Sequence, residues 1–227
     1  MTNQHSSAYG PLIFKCPLCS SIPPERREEF LQDVRYTLKR YGKGDMLFAQ
    51  GAEYKMLYIL IQGEVRTEMS DEKGDFMEVA HLKAPNPLAP AFLFADENHS
   101  PVTAIGFTDC AAILIPKENV YFLIRKYDAF RDAFLMFVSN KVVHLTEKLR
   151  LVSLRTIRAK LAYYILKESK GERVCQLKIS KQDLAHMFGV SRPALVNVMM
   201  QLADEGIIAV DGRTIDILRR GDLQRML

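Results

Sequence analysis

The sequence predicts an α+β protein with an N-terminal jelly-roll or β-roll domain, a long helix and a C-terminal winged helix-turn-helix. Three observations predict it. From Val34 to about Ile115 the chain alternates in short runs parted by glycine turns, the texture of a sandwich or roll. After Pro116 the apolar period lengthens to that of a helix. Residues 180–218 then place two short helical segments about Gly189 and two apolar runs about Asp211-Gly212-Arg213, the layout of a helix-turn-helix with a hairpin wing.

Each element follows from local chemistry. Residues 1–15 open on a polar Met1-Thr2-Asn3-Gln4 and are expected to be a mobile tail; the basic and apolar regions of a secretion signal are missing. Residues 16–127 form the sensor domain. Pro23-Pro24-Glu25-Arg26-Arg27 opens a short helix, since proline suits a first turn whose N–H has no partner. Strands are expected at Arg35–Arg40, Met46–Ala49, Met56–Gln62, Glu64–Ser70, Phe76–Leu82, Val102–Gly106 and Cys110–Ile115. Their breaks are Gly42-Lys43-Gly44-Asp45, Gly51, Gly63 and Asp71-Glu72-Lys73-Gly74. Lys117–Lys126 makes a short helix.

Residues 128–154 supply a long helix over about Asp128–Leu151 and a hinge at Val152-Ser153-Leu154. On that helix Phe130, Phe134, Phe137, Val138, Lys141, Leu145, Lys148 and Val152 fall near one face. A roll needs only part of such a stripe. Phe130, Phe134, Phe137, Lys141 and Lys148 are therefore expected to meet a second copy; the alternative is that the roll covers the whole stripe.

Residues 155–227 form the winged domain, entered through an amphipathic helix over Arg155–Ser169 with Ile157, Leu161 and Ile165 apolar. Lys181–His186 makes a helix burying Leu184 and Ala185. Gly189 supplies the turn, Ser191 caps a second helix, and Pro193 fits its first turn. Leu195, Val198 and Leu202 pack that helix down, leaving Asn197 and Gln201 polar-facing. A helix held in this way projects its N-terminal side chains into a DNA major groove. The expected contacts to double-stranded DNA are Lys181, Ser191, Arg192, Pro193, Ala194 and Asn197. Strands Ile207–Val210 and Thr214–Leu218 are expected to join at Asp211-Gly212, a dipeptide typical of tight hairpins, with Arg213 at the tip on a phosphate. The other reading is a small winged module that docks a protein partner.

Composition bounds the classes. The 227 residues suffice for two modest domains, and 48% hydrophobic with 26% charged residues is an ordinary globular balance. The net charge of +4 is unevenly spread: residues 150–227 hold 14 Lys/Arg against 8 Asp/Glu, residues 1–149 hold 17 against 19. A basic C-terminal part suits contact with phosphates. No apolar run reaches the roughly 18–20 residues that span a bilayer, so no membrane role is expected. The place expected is the cytoplasm, where the four cysteines stay reduced. Phosphate loop, G-x-S-x-G and H-E-x-x-H are all missing, so an enzyme is not expected.

The segments Tyr41-Gly42-Lys43-Gly44-Asp45-Met46-Leu47-Phe48, Leu57-Tyr58-Ile59-Leu60-Ile61-Gln62-Gly63-Glu64-Val65 and Phe188-Gly189-Val190-Ser191-Arg192, in this order of domains, resemble the Crp/Fnr family of bacterial transcription regulators. The resemblance runs from about Cys16 to Leu218. It implies a homodimer whose two recognition helices sit about 34 Å apart on a roughly palindromic site, and RNA polymerase as a partner. It also implies that Arg192 pairs with guanine. The family's following glutamate is Pro193 here, and a frequent arginine one turn on is Asn197, so a different half-site is expected.

The same resemblance bears on the effector. Where members that bind cyclic AMP carry a ribose-binding glutamate, this chain has Pro90; where they carry a phosphate-binding arginine, it has Ser100-Pro101-Val102. Prolines replace the backbone amides that would meet the phosphate, and Leu145 stands at a common threonine. Cyclic AMP is therefore not the expected effector. An apolar pocket of Leu88, Pro90, Ala91, Phe92, Ser100, Val102, His144 and Leu145 for an unknown small effector is expected instead. Some relatives that respond to nitric oxide bind haem, and His144, His99, His81 or a methionine offers an axial ligand; core packing is the competing role. Cys16-Pro17-Leu18-Cys19 sits where oxygen-sensing relatives hold an iron–sulfur cluster. A cluster needs four thiolates, the third N-terminal cysteine is missing, and Cys110 and Cys175 are misplaced. No metal site is expected.

Overall fold

The computed structural model describes residues 10–71 and 76–227. Residues 1–9 of the expected tail and Glu72–Gly74 of the expected turn lie outside the described residues. The chain divides into two compact units, Met1–Lys141 and Val142–Leu227.

The first unit is a roll of two four-stranded antiparallel sheets. Its strands are β1 (Thr37–Tyr41), β2 (Met46–Phe48), β3 (Met56–Gln62), β4 (Glu64–Ser70), β5 (Phe76–Lys83), β6 (Asn86–Leu88), β7 (Thr103–Gly106) and β8 (Cys110–Pro116). One sheet runs β1-β8-β3-β6, the other β2-β7-β4-β5. Alternation decides which side chains enter: Val65 and Thr67 of β4 and Ala104 and Gly106 of β7 are buried, their neighbours half out. β8 lies between β1 and β3 and is buried along Cys110–Ile115, as its unbroken apolar run requires.

Before β1 stands α1 (Arg27–Asp33), and after β8 come α2 (Lys117–Lys126) and α3 (Asp128–Ser153). Phe30 of α1 meets Tyr127 edge-on at 4.9 Å and Phe130 of α3 at 5.6 Å between centroids. Lys126 ties the helices electrostatically, its Nζ lying 2.6 Å from Asp33 and 2.9 Å from Glu29.

The second unit holds α4 (Ile157–Glu168), β9 (Val174–Gln176), α5 (Lys181–Phe188), α6 (Arg192–Asp204), β10 (Ile208–Asp211), β11 (Thr214–Ile217) and α7 (Arg220–Arg225). Leu161, Ile165, Leu184, Leu195, Met199, Leu202, Ile215 and Leu223 close its core. The sheet runs β10-β11-β9.

Several expectations need correction. Gly10–Lys15, expected in the tail, forms a 3-10 helix with Gly10 and Ile13 buried, because Ile13 joins the core of the roll. Val152 and Ser153 complete the last turn of α3, so the break before α4 is Leu154–Thr156. Asp211 pairs with Thr214, and the hairpin turn is therefore Gly212-Arg213 rather than Asp211-Gly212; Gly212 takes φ +57°, as the first position of such a turn asks. Three of the residues expected to meet a second copy are taken up by the roll. Phe130 and Phe134 are 0% and 6% exposed within the core of the roll, and Phe137 packs half-buried against it, since Phe30 and the sheet interior need large rings opposite them. Lys141 and Lys148 remain exposed. The apolar side chains left open on α3 are Leu135, Met136, Val142, Val143, Leu145, Leu149 and Val152.

Candidate nucleic-acid interface

The two helices of the helix-turn-helix are set by their ends. Ser180 caps α5, its Oγ accepting from the Asp183 N–H at 3.1 Å and donating to the Asp183 carboxylate at 2.6 Å. At the other end Gly189 takes a left-handed φ of 68°. Its N–H donates to the His186 carbonyl and that of Val190 to the Ala185 carbonyl, both at 3.0 Å, the Schellman closure that glycine permits. Three residues later the chain starts a new helix. Ser191 is extended (φ −72°, ψ 149°) and its Oγ accepts from the Ala194 N–H at 3.3 Å. Pro193, in the first turn, costs no hydrogen bond.

Burial divides α6 into two faces. Leu195, Met199 and Leu202 point inward at 1% exposure or less; Val198, expected with them, is only half-buried, and Met199 takes the place. The opposite face presents Arg192, Pro193, Asn197, Met200 and Gln201 to solvent, with Ala194 and Val196 half-exposed beside them. Lys181, half-exposed, begins α5. Arg213 is exposed at the wing tip, where its carbonyl accepts from the Leu177 N–H at 2.8 Å and fixes the turn to the strand's other neighbour.

Further supports hold this surface from outside the two helices. Thr156 caps α4 through the Ala159 N–H at 3.1 Å, and Lys160 Nζ donates to the Phe188 carbonyl at 2.7 Å. Arg158 forks onto both carboxylate oxygens of Glu205 at 2.7 and 2.5 Å; the guanidinium's hydrogen bonds hold that carboxyl below its ordinary range. The Ser-x-x-Asp pattern at Ser180 was a legible signal for one cap. A lysine that reaches a carbonyl 28 positions away leaves no such trace.

The expected effector residues are not gathered evenly. Leu88 and Val102 enter the core of the roll together with Leu93. Pro90 is buried, Phe92 half-buried and Ala91 exposed. The buried Ser100 hydroxyl donates to the Val102 carbonyl at 2.7 Å, so its polar capacity is used within its own turn. His144 and Leu145 are exposed on the part of α3 that belongs to the second unit. Leu88 is held from the other side, where buried Tyr54 donates its hydroxyl to the Leu88 carbonyl at 2.5 Å. An open cleft of about 460 Å³ lies elsewhere in the roll, lined by Arg40, Tyr41, Gly42, Gln62, Asp109, Cys110 and Ala111.

The cysteines behave as core residues. Cys16 and Cys19 are fully buried; burial pushes the Cys16 thiol up to about 12 and that of Cys19 well above its usual value, as expected of inert core thiols. Cys110 is buried in β8 and Cys175 in β9. Among the described residues no group of three or more His, Cys, Asp or Glu side chains is placed to hold a metal.

A roll followed by a capped helix-turn-helix and wing defines a two-domain regulator of transcription. Residues 38–127 match the model of the cyclic nucleotide-binding domain, and residues 159–226 that of the Crp-like helix-turn-helix domain. The chain belongs to the Crp/Fnr family. Among its curated relatives, the cyclic AMP receptor protein of Thermus thermophilus is 24% identical over 201 residues, 88% of this chain and 92% of the relative. The transcriptional activator protein Anr of Pseudomonas protegens is 21% identical over 224 residues, 94% of this chain and 90% of the relative. The fold is shared with the crystal structure of Thermus thermophilus catabolite activator protein, at TM-score 0.55 and 23% identity over 92% of this chain and 97% of that one. It is shared likewise with DNR of Pseudomonas aeruginosa, at TM-score 0.51 and 22% identity over 99% and 100% of the two chains.

Proposed function

We propose that this regulator is a homodimer that reads a roughly palindromic double-stranded site through Arg192, and that an effector other than cyclic AMP biases it through the sensor domain. The observation that carries the reading is the face of α6: a helix capped by Ser191, with Arg192, Pro193 and Asn197 all exposed on its first turns. Arginine there can fork onto guanine O6 and N7, while Lys181, Ser191 and Arg213 suit phosphate oxygens. The cytoplasm is the matching place of action. No described helix is long and apolar enough to cross a membrane.

Dimerisation is supported by α3. Leu135, Val142 and Leu149 recur every seven residues, with Leu145 and Val152 interleaved, all between 57% and 78% exposed. An apolar seam of period 3.5 is the signature of a two-helix coiled coil. A second copy of α3 is its natural partner, and RNA polymerase is the partner proposed for the DNA-bound dimer.

Two points speak against cyclic AMP. Pro90 offers neither carboxylate nor N–H, and Ser100 has already spent its hydroxyl on Val102; a phosphate and ribose would lose their compensation. Haem fits no better. His81 engages Glu64 at 2.7 Å, His99 and His144 are exposed, and an axial histidine needs an apolar slot around its metal side.

The test is site selection from random duplexes by the full-length chain, followed by titration at several salt concentrations. An enriched palindrome, bound with a steep salt slope, is expected. Arg192→Ala should lose discrimination yet retain salt-sensitive binding. Saturable protein capture with no enriched duplex would instead favour the docking-module reading. Millimolar cyclic AMP should leave both melting temperature and DNA affinity unchanged.

A further inference from the structure

The exposed face of α6 carries one cation near its start and an otherwise apolar and amide surface. Arg192 is followed by exposed Pro193 and half-exposed Ala194, then by exposed Asn197 one turn on, with exposed Met200 and Gln201 beyond. No carboxylate stands on this face before Asp204, so the first turns offer a cytosine amino group no charged acceptor. Pro193 lacks even a backbone donor. Its ring and the Ala194 methyl present carbon alone, and the base edge that rewards carbon in the major groove is the thymine 5-methyl group. Asn197 combines a donor and an acceptor on one planar amide, the complement of adenine N7 and N6. Pro193 and Asn197 are four residues apart, so both stand on the same side of the helix, beside Arg192.

We infer that each half-site joins one guanine, read by Arg192, to a neighbouring thymine whose methyl packs on Pro193 and Ala194 and to an adenine held by Asn197. This rests on the DNA-reading function proposed above. The half-site is then A·T-rich about a single G·C pair, and its discrimination comes from one charged fork, one amide and one methyl contact.

Base-analogue duplexes test it. After site selection, each thymine of the enriched half-site is replaced in turn by uracil, which removes only the 5-methyl group. One position should weaken binding about fourfold, the worth of one buried methyl, and the others should not. Asn197→Ala should lose preference at one adenine by roughly tenfold while keeping the guanine. Pro193→Glu should abolish the uracil effect and shift preference at that pair. Both side chains are exposed, so these variants keep the fold, which circular dichroism checks. An enriched motif that is indifferent to uracil everywhere, or that keeps its adenine preference in Asn197→Ala, overturns this inference and leaves DNA reading intact. Failure of the unaltered chain to enrich any motif overturns both.

Discussion

Lys160 of α4 donates through Nζ to the carbonyl of Phe188 at 2.7 Å, joining the first helix of the winged unit to the last residue of α5. That carbonyl belongs to the group a helix end leaves without partners, and a cation also complements the negative end of the helix dipole. The turn at Gly189 is thus pinned from outside as well as closed by its own Schellman bonds. Lys160→Met should cost about 1–2 kcal/mol in urea unfolding and speed amide exchange at Gly189 and Val190. Unchanged exchange at both amides would show the bond to be idle.

Gly63 joins β3 to β4 at φ +81°, and a Cβ built there would lie 2.3 Å from the Asp109 backbone oxygen. Two penalties coincide, a left-handed backbone and a clash with main chain that cannot rotate away. Gly63→Ala should therefore cost about 3 kcal/mol in stability, whereas Gly51→Ala, with nothing within 4 Å, should cost about 1–2 kcal/mol from backbone strain alone. Paired urea titrations compare them.

Asp33 anchors α1 to α2. Burial raises its carboxyl, but hydrogen bonds from Lys126 and Tyr127 outweigh it, and the net shift is downward. A carboxylate depressed in the fold contributes fully above its unfolded value, near 3.9, and loses that contribution as pH falls through the lower folded value. The melting temperatures of the wild type and Asp33→Asn should differ by a constant amount above about pH 5 and converge in acid. A gap that persists unchanged at about pH 2 would contradict the linkage.

The seam on α3 gives a third kind of test. Val142→Asp with Leu149→Asp places charges on two 57–70% exposed positions that a coiled coil would bury. The pair should convert the proposed dimer to a folded monomer in sedimentation, with affinity for a full palindrome falling toward that for one half-site. Phe134→Ala, by contrast, opens the core of the roll and should cost about 3–5 kcal/mol without changing which surface associates.

Strong local signals were legible. β3, β4 and α2 lie where alternation, bounding glycines and helical period put them, because each is stabilised mainly by a face that its own residues specify. β6 was not legible: Asn86-Pro87-Leu88 contains a proline and only three residues. It forms because it is the edge of its sheet, where a missing N–H need not break a ladder. β9 is equally short, with only Cys175 buried, and exists because β11 offers it an open edge. At the candidate site the chain spells out its local parts, the Ser191 cap, the Gly189 turn and the Arg192 position; the Lys160 clamp joins distant segments and left no pattern.

What the sequence alone determined is therefore the order of the parts and the chemistry at their ends, since caps, turns and alternation act over a few residues. Which face of α3 is core was decided only in three dimensions. Both of its faces are apolar, and the helical period is satisfied by either. The aromatic ring of Phe30 and the open interior of the roll took Phe130 and Phe134, leaving Leu135, Val142 and Leu149 outside. Burial is a property of neighbours brought together by folding, and a linear pattern cannot name them.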